Sequence, residues 1–348
     1  MPEAPEAGGP KGYTGVVRDT LHRPLSALRI SVTDRCNFRC PYCMPREAFP
    51  ADHAFLPREA VLTFEEIERL AGIFVALGVR KIRLTGGEPL LRRDLPDLVA
   101  RLKALPGLQA LALTTNGSLL EGLAGPLKAA GLDRITVSLD SLDPERFRRL
   151  SDTEVPLNRV LAGLKAAKAQ GFVHTKLNCV LQRGANEADV LPLAAFAREE
   201  GLELRFIEYM DVGTANGWRL DRVVPAAEVV ARIADVWPLE PLPFGPHCVA
   251  QHFRYRDGGG VVGAIASVTA PFCRGCDRGR LSSEGRFFTC LFAHDGLDLK
   301  GHLRAGADDA TLAALIRNRW EARDDRYSEL RTEATGPRPR VEMFRMGG

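Results

Sequence analysis

No apolar run in this chain approaches the roughly 18 residues that a membrane-spanning helix needs. The opening residues, "MPEAPEAGGPKG", contain no apolar core of a secretory signal. Rich in Pro, Ala, Glu and Gly, they predict a disordered lead-in over 1–19. With no signal, the expected compartment is the cytoplasm, and no membrane partner is expected. Strong charge of one sign is also missing. A net charge of +3 over 348 residues gives no case for nucleic acid, so any electrostatic argument must rest on local arginines. There are eight cysteines, and six of them form two groups of three, neither completed by a fourth. In a reducing compartment such groups favour metal or catalytic use over disulfides.

Apolar residues make up 45% of the chain, enough for a large core, and the length suits a barrel carrying an extension. Runs rich in β-branched residues recur at 28–33, 79–85, 108–115, 133–140, 173–181 and 202–210. Amphipathic segments separate them. "TFEEIERLAGIFVALG" shows a capping box, Thr63 with Glu66, and ends at Gly78. "NEADVLPLAAFAREEG" repeats the form, with Asn186 as the expected N-cap and Gly201 as terminator. Six strand-helix units predict a parallel α/β sheet, an open partial (β/α)6 barrel similar to a TIM barrel, over 20–238. After residue 238 a Pro-rich stretch breaks the alternation. Residues 239–348 read as an extension packed on the barrel, including a hairpin turn at "DGGG".

"CNFRCPYC" follows the first predicted strand and places Cys36, Cys40 and Cys43 at gaps of three and two. A structural zinc site normally brings a fourth ligand. Three thiolates on a short loop suit three irons of a [4Fe–4S] cube, leaving the fourth iron open to a small molecule. The second group is "CRGCDRGRLSSEGRFFTC", with Cys273, Cys276 and Cys290. Its candidates for a fourth ligand are Cys248, Cys179 and His294; otherwise it too is a cluster with an open iron. Arg278 and Arg280 lie beside it, and arginine forks match phosphate oxygens. A solvated surface charge run is the plainer reading. Arg83 and Lys176 sit inside apolar strands, where a charge is a poor choice unless it is paired, faces a cavity or snorkels to solvent.

CxxxCxxC after the first strand of a partial barrel resembles the radical S-adenosylmethionine (SAM) family. That resemblance implies that the first cluster's open iron binds the amino and carboxylate groups of SAM, whose reductive cleavage makes a 5′-deoxyadenosyl radical. Gly87 in "TGGEP", Tyr42, Ser138 and Met210 would line the SAM site. On their own these are a turn glycine, a cap and core fillers. With CxxC-x13-C, "LTTNG", "SLDSLDPERF", "CDRGRL" and the terminal Gly347–Gly348, the chain resembles the GTP 3′,8-cyclases of molybdenum cofactor biosynthesis. That resemblance runs from about residue 12 to the end.

It implies two [4Fe–4S] clusters, the second contacting guanine. It implies GTP contacts from Arg29, Arg83, Thr114, Lys176, Arg278, Gly279 and Arg280, with Arg29, Arg278 and Arg280 as catalytic residues. The reaction would abstract the ribose C3′ hydrogen and close that carbon onto C8, giving (8S)-3′,8-cyclo-7,8-dihydroguanosine 5′-triphosphate. It further implies a homodimer, a flavodoxin- or ferredoxin-type electron donor and a downstream cyclic pyranopterin monophosphate synthase. The Gly-Gly tail would reach the active site. A radical SAM enzyme that modifies a peptide through an auxiliary cluster is the alternative, and a zinc-binding interaction module is a third reading.

Overall fold

The computed structural model describes residues 15–245, 247–331 and 340–347. The six expected strands are present as β1 (Ala27–Ser31), β2 (Lys81–Thr85), β3 (Ala110–Thr115), β4 (Arg134–Ser138), β5 (Lys176–Leu181) and β6 (Glu203–Glu208). Each pairs with the next in parallel. Helices between them cover one face, where Ile30, Leu84, Leu113, Val137, Leu177 and Phe206 are buried. Each such side chain contributes about 1.5–3 kcal/mol on leaving water. Parallel strands buried on both faces usually read as continuous apolar runs. These alternate instead, because the inner face carries polar and charged side chains.

The extension does more than pack on the barrel. It continues the same sheet at both edges. β7 (Leu239–Pro241), β8 (Gln251–Tyr255) and β9 (Val261–Ile265) form an antiparallel set, and β9 lies parallel to β6. β10 (Arg278–Leu281), β11 (Arg286–Phe288) and β12 (Leu297–Asp298) form another, with β10 parallel to β1. Among the described residues the result is one open twelve-stranded sheet, β12-β11-β10-β1-β2-β3-β4-β5-β6-β9-β8-β7. Strands this short gave weak sequence signals. They are fixed by the free edges of β1 and β6, whose backbone groups need partners.

The capping box at Thr63 and Glu66 forms as expected. Asn186 does not cap a helix with its side chain; a 3-10 turn, Glu187–Asp189, intervenes before the helix Val190–Glu200. Its side chain instead accepts from the Gln182 amide at 2.9 Å and donates to Val180 and Asp140 carbonyls. The predicted lead-in is shorter than 1–19: Val17 is buried, and its backbone pairs with Leu25 and Leu77, while residues 1–14 lie outside those described. Asp19 is buried between Arg23 and Arg323. Among the described residues no helix is long and apolar enough to cross a membrane.

Candidate active site

Strand register builds the site. Arg280 on β10 stands beside Arg29 on β1, and Arg29 beside Arg83 on β2. Arg278 occupies the next inward position on β10, beside Ala27. Like charges at directly opposed strand positions repel. None of Arg29, Arg83, Arg278 and Arg280 has a carboxylate within ion-pair distance among the described residues. Burial and the neighbouring Arg280, Arg278 and Arg83 push Arg29 well below the usual guanidinium range. Arg83 and Arg280 are both pushed down to about 10, mainly by burial. A fold that stacks four arginines on one wall with no carboxylate paired to them, Arg278 donating only to the Cys276 sulfur at 3.4 Å, is built for a polyanion.

That wall faces a cavity of about 390 Å³. Thr114 also lines it and, with Thr136, accepts a hydrogen bond from Arg83 at 3.0 Å. Opposite stand Asn178 on β5, Arg205 on β6 and Ser267 after β9. The Asn178 amide oxygen and the Ser267 hydroxyl are buried without partners among the described residues.

Cys273, Cys276 and Cys290 line the same cavity. All three thiols are free. The segment joining β9 to β10 carries the CxxC pair, and the buried ion cluster beneath holds it in place. Arg23 donates to the Cys273 carbonyl at 2.9 Å and Arg323 to the Cys276 carbonyl at 2.8 Å. Burial raises the Cys276 thiol, but Arg278 and Arg323 outweigh it and bring it down to about 6. Burial, then Asp325, pushes Cys290 up to about 12.

Cys36, Cys40 and Cys43 sit on the loop after β1, outside that cavity. Burial is the main force raising each thiol; Cys36 is pushed up to about 12. Mutual repulsion adds to it, since Cys40 feels both partners' charges. The loop is held from three sides. Asn37 accepts from the Asn116 amide at 2.8 Å and donates to Ser118 at 3.0 Å. Arg39 donates to the Cys36 carbonyl at 2.8 Å. Tyr42 donates to Asp140 at 2.8 Å, and Asp140 accepts from the Val180 amide.

Glu88 ties the neighbouring loop to β3 by accepting from Thr115 and the Asn116 amide, each at 2.7 Å. Its burial lifts it to about 7. Gly86 and Gly87 lie against backbone of residues 33–35, with Gly87 donating to the Thr33 carbonyl at 2.8 Å. The two glycines are therefore required first by this loop-on-loop contact. Ser138 ends β4, beside Asn178.

The chain's last described residues touch both sets. Met343 lines the cavity, Phe344 packs near Cys36 and Cys43, and Met346 packs near Cys290. The Gly347 carbonyl accepts from Arg280. Gly348 lies outside the described residues.

Two sequence expectations need correction in position. Gly279 faces away from the cavity, against Phe287 and Leu25, because strand alternation turns it opposite to Arg278 and Arg280. Lys176 is not in the cavity wall. It lies at the start of β5 in an ion pair of 2.6 Å with Glu203, which also holds Arg205 and His252. Met210 is in the cavity wall, whereas Tyr42, Gly87 and Ser138 are not. Arg205, which does line the cavity, carries the same signal: "LELRFIEYM" places a charge inside an apolar strand just as "KIRLT" does. Glu88 and Asn116 lie within "TGGEP" and "LTTNG", but their bond to each other joins two distant loops and is not visible in the sequence; Asn178 gives no sequence signal.

Among the described residues no group of three or more His, Cys, Asp or Glu converges tightly enough to hold a single metal ion. Each set nonetheless offers three free, soft thiol donors at the ends of strands, a donor chemistry that fits an iron–sulfur cluster.

A radical SAM superfamily profile matches residues 30–197, and a profile described as Molybdenum Cofactor Synthesis C matches 202–329. SuiB of Streptococcus suis, solved bound to S-adenosylmethionine, has a similar fold, with TM-score 0.56 and 17% identity. That match covers 85% of this chain and 68% of that one. A GTP 3′,8-cyclase of Acidothermus cellulolyticus is 60% identical over 323 residues, spanning 91% of this chain and 89% of the relative. Those of Xanthomonas axonopodis pv. citri and Staphylococcus haemolyticus are 50% and 44% identical, covering 96% and 95% of this chain and 100% and 99% of theirs. On identity of this extent, along nearly its whole length, the chain belongs to the GTP 3′,8-cyclase family of radical SAM proteins.

Proposed function

We propose that this protein cyclises GTP to (8S)-3′,8-cyclo-7,8-dihydroguanosine 5′-triphosphate, an early step toward molybdenum cofactor. The observation that carries the reading is the unpaired row Arg280–Arg29–Arg83, with Arg278 beside it, in a cavity that three free thiols also line. Cys36, Cys40 and Cys43 would hold one [4Fe–4S] cluster and Cys273, Cys276 and Cys290 a second. Bound at the first set with SAM, such a cluster supplies hydrogen-abstracting radical chemistry.

The chain's own residues do the rest. Arg29, Arg278 and Arg280 bind the triphosphate, and Arg83 is aimed by Thr114 and Thr136. This fixes the ribose between the two thiol sets, and orientation of that kind lowers the barrier by removing freedom in advance. The Asn178 amide oxygen and the Ser267 hydroxyl, without partners among the described residues, would bond a polar ligand edge. The tail, by packing against both thiol sets, excludes water from the space between them. Residues 20–238 form the catalytic core and 239–348 the extension. The same reading carries a homodimer, a flavodoxin- or ferredoxin-type donor and a downstream cyclic pyranopterin monophosphate synthase.

Protein purified and reconstituted without oxygen is expected to hold about eight irons per chain and to form 5′-deoxyadenosine only when GTP is added. Stoichiometric zinc without iron would sink this reading. A second expectation follows from the arginines alone. Inorganic triphosphate, at a hundredfold excess over its Kd, should raise the melting temperature by roughly 5 °C, and the gain should shrink in high salt. An equal shift with adenosine would show that the cavity does not select anions.

A further inference from the structure

A cluster held by the second thiol set would have one iron without a protein ligand, and the sequence offers three candidates for that position, Cys179, Cys248 and His294. Two are removed by their surroundings. Cys179 is fully buried on the helix-covered face of β5, against the Asp140 carbonyl. The His294 side chain is 70% exposed and leans on Asp295. Cys248 remains, and it lines the same cavity as Cys273, Cys276 and Cys290.

Its position is fixed by the CxxC pair itself. The His247 ring is hydrogen-bonded to the Gly275 carbonyl at 3.0 Å, and Gly275 is the residue before Cys276. The His247 backbone also packs onto Gly275: a Cβ there would lie 3.5 Å from the His247 nitrogen. Cys248 follows directly, its amide bonded to the Gly245 carbonyl. Its thiol has no hydrogen-bond partner among the described residues.

His247 itself holds a left-handed backbone, φ 63, a conformation that costs a non-glycine residue free energy and persists where surroundings impose it. The loop is thus strained at the joint that presents the thiol. A fourth thiolate held permanently would close the position that the proposed substrate needs, so it must be able to leave.

We propose that Cys248 is an exchangeable fourth ligand of the second cluster, bound when the cavity is empty and displaced by the purine of the substrate. This rests on the two-cluster reading above. On binding, the thiol loses its proton to solvent as the sulfur–iron bond forms. On displacement, a purine lone pair takes the position and the thiolate recovers a proton, with no change in oxidation state. The exchange would keep the open iron from water and stray thiols between turnovers.

The test uses the anaerobic holoenzyme with its iron counted first. Iodoacetamide labelling of Cys248, read by peptide mass spectrometry, should be at least about tenfold faster with GTP than without. Cys248→Ala should bind GTP about tenfold more tightly than the native chain if the ligated form is about 90% populated. Labelling that is unchanged or slowed by GTP, together with an unchanged Kd in Cys248→Ala, overturns the proposal. A count near four irons, with Cys273, Cys276 and Cys290 freely alkylated, would instead overturn the second cluster, and this inference with it.

Discussion

Arg280→Ala is expected to lower kcat/KM for GTP cyclisation by two to three orders of magnitude while the iron content is unchanged. Arg280 is 4% exposed and sits next to Arg29 across β10 and β1. It still carries its charge at neutral pH, since burial and Arg278 bring it only to about 10. A buried charge-assisted contact of this kind contributes about 2–5 kcal/mol when one partner is truncated. That range corresponds to roughly thirty- to several thousandfold in rate.

Part of the loss would come through the tail. Arg280 donates to the Gly347 carbonyl, and Gly347 is seated where an added Cβ would lie 2.1 Å from the Thr85 methyl carbon. Freeing the carbonyl loosens Met346 from Cys290 and Phe344 from the first thiols. Hydrogen exchange near residues 343–347 should therefore quicken in the variant. Iron content and SAM cleavage capacity should not change, because among the described residues Arg280 donates no hydrogen bond to a thiol, only to the Gly347 carbonyl. A variant that loses iron would show that the arginine is structural.

The same residue shows what the sequence could and could not tell. Its proximity to the CxxC pair, and the phosphate chemistry of guanidinium, were visible in "CDRGRL". That Gly279 between the two arginines faces the core was not visible, because β10 is a four-residue strand defined only by pairing with β1. The six parallel strands were legible because each alternates over five or six residues between turn signals. The strands of the extension were not, beyond one hairpin, because they borrow their register from β1 and β6. Lys176 illustrates a different limit. A charge inside an apolar strand correctly signalled a partner, but the partner is Glu203 on the adjacent strand, not the cavity. The rule that flags such charges detects compensation and does not say who compensates. Applied evenly, it would also have flagged Arg205.

Gly87→Ala should remove the first cluster while sparing the second. The added Cβ would lie 2.2 Å from the Arg35 carbonyl oxygen and 2.5 Å from its carbon. Both neighbours are backbone, so no side-chain rotation relieves the clash. The loop from 33 to 35 would have to move, and Cys36 is the next residue along it. The bonds from the Gly87 amide to Thr33 and from the Glu88 amide to Arg35, each 2.8 Å, would break together. Glu88 would then lose its setting against Thr115 and Asn116, and Asn116 holds the thiol loop through Asn37.

The damage is thus channelled into the loop that presents Cys36, Cys40 and Cys43. The CxxC turn of the second set rests instead on Arg23 and Arg323, both anchored by the buried Asp19. Reconstituted Gly87→Ala should hold about four irons per chain in place of about eight, form no 5′-deoxyadenosine, and still show a triphosphate-induced rise in melting temperature. Retention of all the iron would mean that the loops can separate without disturbing the thiols, and that this glycine contact does not set the first cluster.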